Sequence, residues 1–138
     1  MSVKQISVFI ENKKGKLAEA TRYIAEHDVN LKALSIADTQ DFGILRIITD
    51  DSDKALSVLK DAKFTTKTTD VLAISISDQV GALHDVMALF QNNGINIEYL
   101  YASLEKTGDT AIIIFKVQDA DKGLKVIEEN GLSTVGKF

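Results

Sequence analysis

The 138-residue chain contains neither cysteine nor proline. Without cysteine there is no disulfide framework, no cysteine-based zinc site and no thiol nucleophile. No apolar run approaches the roughly 20 residues of a membrane span, so no membrane partner is expected. The opening Met1-Ser2-Val3-Lys4-Gln5-Ile6-Ser7 lacks a long apolar core and a small-residue cleavage site. No signal peptide is therefore expected, and the expected compartment is the cytoplasm. Positive charge is also scarce: 16 Lys and Arg against 20 Asp and Glu leave a net charge of −4. That argues against nucleic acid as a partner, because neutralising phosphates needs clustered Lys and Arg.

Motifs that carry chemistry are missing too. There is no Walker loop, no Gly-x-Gly-x-x-Gly, no Gly-x-Ser-x-Gly and no His-Glu-x-x-His. The two histidines, His27 and His84, belong to no His/Asp/Glu cluster and read as helix-surface residues. Asp50-Asp51-Ser52-Asp53 lacks the glycine and distal glutamate of a calcium loop and precedes a helical pattern, where acidic caps are expected. No catalytic residue, metal or cofactor is expected.

What is present is a repeat. Asn12-Lys13-Lys14-Gly15-Lys16-Leu17 is echoed by Asp78-Gln79-Val80-Gly81-Ala82-Leu83. Each stretch follows an alternating apolar run, Ile6/Val8/Ile10 or Leu72/Ile74/Ile76. Each opens a helical stripe, Leu17/Ala20/Thr21/Ile24 or Leu83/Val86/Met87/Phe90. The offset is constant at 66 residues, from 15 to 81 and from 17 to 83. One strand–turn–helix unit is written twice. With 45% hydrophobic and 26% charged residues, both copies are ordinary globular material. Residues 1–69 and 70–138 are the expected domains, each near the lower size limit for folding alone and expected to abut.

In the first copy the pattern predicts strands over Val3–Ile10, Val29–Ala37, Gly43–Thr49 and Phe64–Thr69. Helices are predicted from Gly15 to Asp28 and from Asp51 to Ala62, with a turn at Thr39-Gln40-Asp41. In the second copy strands are predicted over Val71–Ser77, Ile95–Ser103, Ala111–Val117 and near Ser133–Lys137, with helices over Gly81–Asn92 and Ala120–Glu129. Glu105–Asp109 reads as a hairpin loop, and Asn93-Gly94 as a left-handed helix end. Beyond the loop the offset becomes 68, from Asp53 to Asp121, so two residues are added there. The expected fold class is α+β: two tandem β-α-β-β-α-β, ferredoxin-like repeats, each an antiparallel sheet with both helices on one face. The other face of the second sheet would carry Ala73, Ser75, Tyr99, Tyr101, Ile112 and Ile114, too apolar for open water, which predicts a homodimer.

Gly15 and Gly81 stand where a strand delivers its carboxyl end to a helix start. Bare N–H groups and the positive end of the helix suit an anion, and glycine lets a ligand approach the backbone. A plain turn is the alternative, and the repetition leaves the two evenly balanced. Asn30 and Asn96 match at the start of the next strand and are expected to emerge beside the glycine loops. Asp78 is charged where the first copy has neutral Asn12, so the two loops are expected to form unequal sites, the Asp78 loop contributing to the tighter. Arg46, inside Ile44-Leu45-Arg46-Ile47-Ile48, is an exposed strand position or a partner for a carboxylate.

The Asn-x-x-Gly-x-Leu loop, the Val-Asn-Leu and Ile-Asn-Ile strand entries and the doubled strand order resemble ACT domains, small amino-acid-binding regulatory modules attached to enzymes of amino-acid metabolism. The resemblance runs from Val3 to about Val135. It implies a non-catalytic sensor of a free amino acid, held at glycine loops between the domains, with such an enzyme as a possible partner. The implied binding residues are Asn12, Gly15, Lys16, Leu17 and Asn30, with Asp78, Gly81, Ala82, Leu83 and Asn96. Where the family usually has proline before the glycine, this chain has Lys14 and Val80. Two other readings share the strand order: an RNA-binding module and a small enzyme. The first needs central-strand aromatics and a basic surround; the second needs a titratable pair in one loop.

Overall fold

A computed structural model of the chain describes residues 2–38 and 41–138; the first two residues of the expected Thr39-Gln40-Asp41 turn lie outside them. The elements are β1 (Val3–Glu11), α1 (Lys16–Glu26), β2 (Leu31–Asp38), β3 (Phe42–Thr49), α2 (Ser52–Asp61), β4 (Thr65–Ser77), α3 (Ala82–Asn92), β5 (Ile97–Thr107), β6 (Thr110–Val117), α4 (Ala120–Glu129) and β7 (Ser133–Thr134). This is an α+β protein. The chain forms two compact units, one over Lys4–Thr69 and one over Asp70–Phe138 with Ser2 and Val3.

In the first unit β3 pairs antiparallel with both β1 and β2, and β1 also pairs with β4. The register sets Ile6 opposite Ile47, Val8 opposite Leu45 and Ile10 opposite Gly43. Side chains alternate along a strand, so these residues share one face. That face carries both helices: Ile6, Val8, Ile10, Leu45 and Ile47 form one buried cluster with Ala20 and Ile24 of α1 and Ala55 and Leu59 of α2.

The second unit repeats the plan. β6 pairs with β5 and β4, and β4 with β7, all antiparallel. Leu72, Ile74, Ile113 and Phe115 share the helix face with Val86 and Phe90 of α3 and Val126 and Ile127 of α4. The Phe90 and Phe115 rings lie 5.5 Å apart at 58°, a tilted contact worth about 0.5–1.5 kcal/mol beyond burial.

The helix ends follow local chemistry. Asp51 caps α2 by accepting the Lys54 N–H at 3.1 Å, and Asp119 caps α4 by accepting that of Lys122 at 3.1 Å. The acidic run at 50–53 thus serves a helix start. α1 and α3 are followed by left-handed residues, Asp28 at φ 58° and Gly94 at φ 69°.

Three expectations need correction. Phe64–Thr69 and Val71–Ser77 are not separate strands: β4 runs without a break for 13 residues. Asp70 does not interrupt the extended backbone, so the two units, which divide between Thr69 and Asp70, share one continuous strand of chain. The expected hairpin loop at 105–109 is shorter, because β5 continues to Thr107 and the turn is Gly108-Asp109, with Gly108 at φ 58°. Extra residues lengthen the strand arms, and a shift in register between Ala102 and Lys106 absorbs the irregularity. The third correction concerns the apolar face. The register does align Tyr101 and Ala73 with Ile114, and Ser75 with Ile112. Yet Ala73 and Ile114 are fully buried, and Ile112 and Tyr101 nearly so, in the single chain. No open patch is left there to require a second copy, and the argument for a homodimer loses its premise.

Ala55 on α2 and Gly123 on α4 occupy matching places, 68 residues apart. A Cβ on Gly123 would lie 2.9 Å from Leu72 Cδ1 and 3.1 Å from Val117 Cγ2. Alanine's helix propensity is worth about 1 kcal/mol, whereas overpacking a filled core costs about 1–3 kcal/mol. Gly123→Ala should therefore lose a net ~1 kcal/mol, read as a lower urea midpoint at unchanged slope. A raised midpoint would show that Leu72 swings clear at no cost.

Candidate ligand-binding site

The two glycine loops share one backbone. Gly15 has φ 87° and ψ −11°, and Gly81 has φ 88° and ψ −9°. The Lys16 N–H donates to Lys13 O at 3.3 Å, and the Ala82 N–H to Gln79 O at 3.2 Å. A four-residue turn with left-handed backbone at its third position is type II, which glycine favours there and proline favours one place earlier. Nothing lies within 4 Å of a Cβ built on either glycine, so the backbone torsion alone calls for it. Each loop is also tied to the facing hairpin. The Asn12 N–H donates to Asp41 O at 3.1 Å, and the Asp78 N–H to Asp109 O at 2.7 Å.

The turn aims each helix start outward. In α1 the Glu19 N–H reaches back to Gly15 O at 2.9 Å, and in α3 that of Asp85 reaches Gly81 O at 3.0 Å. The N–H groups between, of Leu17 and Ala18 and of Leu83 and His84, take no partner among the described residues. They point from the positive end of a helix, which suits a carboxylate. Beside the first loop, Lys13 Nζ meets Glu11 Oε2 at 2.9 Å. That hydrogen bond and the Lys13 charge hold the Glu11 carboxyl below its ordinary range. The pairing is therefore present above that range and lost as pH falls through the lowered value.

A cavity opens at each loop. One, of about 140 Å³, is lined by Ile10, Asn12, Lys13, Leu17, Ile36 and Gly43, among others. The other, of about 400 Å³, lies against Gln79, Val80, Ala82, Asp85 and Asn130. Asn12, Leu17 and Ala82 thus border cavities, with Gly15, Lys16, Asp78, Gly81 and Leu83 in the same two loops. Leu17 does not close the α1 stripe as expected: it is 41% exposed. Ile36 and Gly43 were not singled out in the sequence. The signal that could have found them is a glycine among β-branched residues, which often marks a close approach to a strand.

Asn30 and Asn96 do not join their own unit's loop. Leu31 pairs with Thr49 while Ile10 pairs with Gly43, so Asn30 stands at the far end of the sheet. The separation along β3 is roughly 20 Å at ~3.3 Å per residue. A helix that returns the chain antiparallel to β1 starts β2 at the opposite end. There Asn30 and Asp50 clasp each other, the Asn30 N–H donating to Asp50 Oδ1 at 2.9 Å and the Asp50 N–H to Asn30 O at 3.2 Å. Asn96 O similarly accepts the Gln118 N–H at 3.0 Å. His27 Nδ1–H donates to Tyr23 O at 2.8 Å on the surface of α1. Arg46 is half-buried, in register with Ser7 and Ser35.

A family model described as an ACT domain pair matches residues 1–137. The chain belongs to the ACT domain pair family. It is similar to a crystallised protein of Bacteroides thetaiotaomicron at 39% identity and a TM-score of 0.92, covering 98% of this chain and 92% of that one. It shares its fold with the regulatory subunit of aspartate kinase from Thermus flavus, 17% identical, TM-score 0.62, covering 91% and 90%. The ligand-free Thermus thermophilus subunit is alike at 15% identity and TM-score 0.61, with 91% and 90% covered. No curated protein matches the chain. ACT domains are regulatory, amino-acid-binding modules, and no helix among the described residues is long and apolar enough to cross a membrane.

Each ACT loop can be tested without a ligand. Gly15→Ala and Gly81→Ala should each lose about 1–2 kcal/mol, the cost of left-handed backbone for an L-residue, with no packing contribution. Val80→Pro should gain about 0.4–1 kcal/mol, because proline fits the second position of a type II turn and stiffens the unfolded chain. Denaturant melts of the three variants check this. Neutral glycine replacements would mean that the turns relax freely.

Proposed function

We propose that this ACT domain pair is a non-catalytic cytoplasmic sensor that binds a free amino acid at its glycine loops and acts on a separate enzyme of amino-acid metabolism. The observation that carries the reading is the duplicated type II turn, which in both units leaves two helix-start donors open beside a cavity. An amino acid presents a carboxylate and an ammonium a few ångströms apart. The open N–H groups of Leu17 and Ala18, or of Leu83 and His84, suit the carboxylate. Asn12 with Glu11, or Asp78, suits the ammonium. The loops offer fixed dipoles and charges rather than a nucleophile paired with a base. Asn30 and Asn96 are assigned backbone roles at the other strand ends.

Calorimetry of the twenty amino acids near neutral pH tests the reading. We expect at least one to bind, in two unequal steps per chain. Asp78→Ala should weaken one step by about 1.5–3 kcal/mol, the worth of a hydrogen bond to a charged group, and Asn12→Ala the other by about 0.5–1.5 kcal/mol. Silence with all twenty would sink the proposal. Binding unchanged in both variants would leave the loops as plain turns.

A further inference from the structure

We infer that the cavity beside the first glycine loop is a side-chain pocket selecting an apolar α-amino acid, and that Gly43 sets its size. The inference rests on the reading above, in which that loop holds the ligand's head group.

The pocket's lining is of two kinds. Glu11, Asn12 and Lys13 supply polar groups, and Ile10, Leu17, Ile36 and Leu45 supply an apolar wall. Its volume is about 140 Å³. A cavity of roughly 150 Å³ has room for one benzene-sized guest. One branched aliphatic or aromatic side chain is the matching size. Two residues of the apolar wall reach solvent: Leu17 is 41% and Ile36 49% exposed. A guest side chain would cover both.

Neither crowding nor backbone torsion requires Gly43 to be glycine. A Cβ built there would meet only Ile10 O at 3.9 Å and Ala37 O at 4.0 Å, ordinary contact distances, and its φ is not in the left-handed region. Glycine inside a strand weakens it, and where neither torsion nor crowding demands it, a close-approaching ligand is the remaining physical reason.

The second unit is an internal control. Ile76 pairs with Ala111 as Ile10 pairs with Gly43, in the same register. There Ala111 and Leu83 both pack against the buried core. The counterpart of Ile36, 66 residues on, is Ala102. The cavity at the second loop is lined by Ser75, Gln79, Val80 and Asp85 among others, and not by Leu83, Ala102 or Ala111, so a pocket walled by the positions of Leu17, Ile36 and Gly43 belongs to the first unit.

The test is calorimetry of wild type, Gly43→Ala and Gly43→Val with leucine, isoleucine, valine, phenylalanine, alanine, serine and aspartate, alongside thermal melts. In the step that Asn12→Ala weakens, wild type should favour the large apolar amino acids. Gly43→Ala should weaken them about 10–200-fold, the range for one methylene in an apolar pocket. Gly43→Val should weaken them further, with alanine and serine little changed in either variant. Melting temperatures should hold or rise, because the added Cβ has room; if valine nonetheless unfolds the protein, the alanine variant alone decides. A wild-type preference for aspartate or serine, or leucine binding untouched by both variants, would overturn the pocket and leave the sensor reading standing. If no amino acid binds any form, the sensor reading itself falls.

Discussion

Everything at the candidate site depends on the sign of one backbone torsion, the positive φ at Gly15 and at Gly81. A strand that ends at Glu11 must reverse into a helix that begins at Lys16, and a type II turn does this in four residues. An L-residue in left-handed backbone loses about 1–2 kcal/mol, a large share of the 5–15 kcal/mol that holds a typical domain together. Glycine avoids that cost. Because the cap has no side chain, the first helical turn is not closed from within, and the donors that Ser, Thr or Asp would satisfy stay available. α2 and α4 show the contrast. Their starts carry a side-chain cap, Asp51 or Asp119, each of which takes up one first-turn N–H, that of Lys54 or Lys122. In each unit one helix start has a side-chain cap and the other has none.

A duplicated chain supplies its own comparison, because both copies solve the same folding problem. Where they agree, the fold explains the residue. Asp51 matches Asp119 as a cap, and Asp28 matches Gly94 as a left-handed helix end. Where they differ, either packing or function has moved. Ala55 against Gly123 is packing: in the second unit Leu72 and Val117 press too close to α4 for a methyl group. Gly43 against Ala111 is different in kind, since a methyl on Gly43 would meet nothing tighter than ordinary contact. The first substitution answers crowding; the second leaves a space.

The repeat, the helix faces and the strand alternation were legible because period and spacing are properties of the sequence itself. Ile113, Phe115 and Val117 face the helices as their alternation predicts. What the pattern could not show was pairing direction at a distance. The antiparallel return of α1 starts β2 at the end of the sheet away from the glycine, so Asn30 lies far from Gly15 in its own unit although its spacing suggested proximity. Burial on the second face of the sheet was illegible for a similar reason. Alternation assigns a side chain to a face, but what covers that face is decided elsewhere in the chain. The cavity was half visible, since Leu17 and Asn12 were among the implied binding residues while Ile36 and Gly43 were not singled out. Only exposure separates Leu17 from Leu83, which packs.

A ligand moves an equilibrium only by binding one state better than another. On the sensor reading, the first loop supplies that difference through two kinds of group. Charge and N–H donors at Glu11, Asn12 and the start of α1 recognise what all amino acids share, and so give affinity without discrimination. The apolar wall recognises what distinguishes them, and a guest side chain would cover Leu17 and Ile36, which are half-exposed without one. Burial of apolar surface is worth about 25 cal/mol per Å², so covering these two side chains favours the liganded form in proportion to the guest's size. Leu17 belongs to the first turn of α1, the segment whose start the glycine turn leaves uncapped. The discriminating contact and the helix start without a side-chain cap are thus one piece of chain, and a guest in the pocket would pack on the same turn of α1 whose N–H groups face its carboxylate.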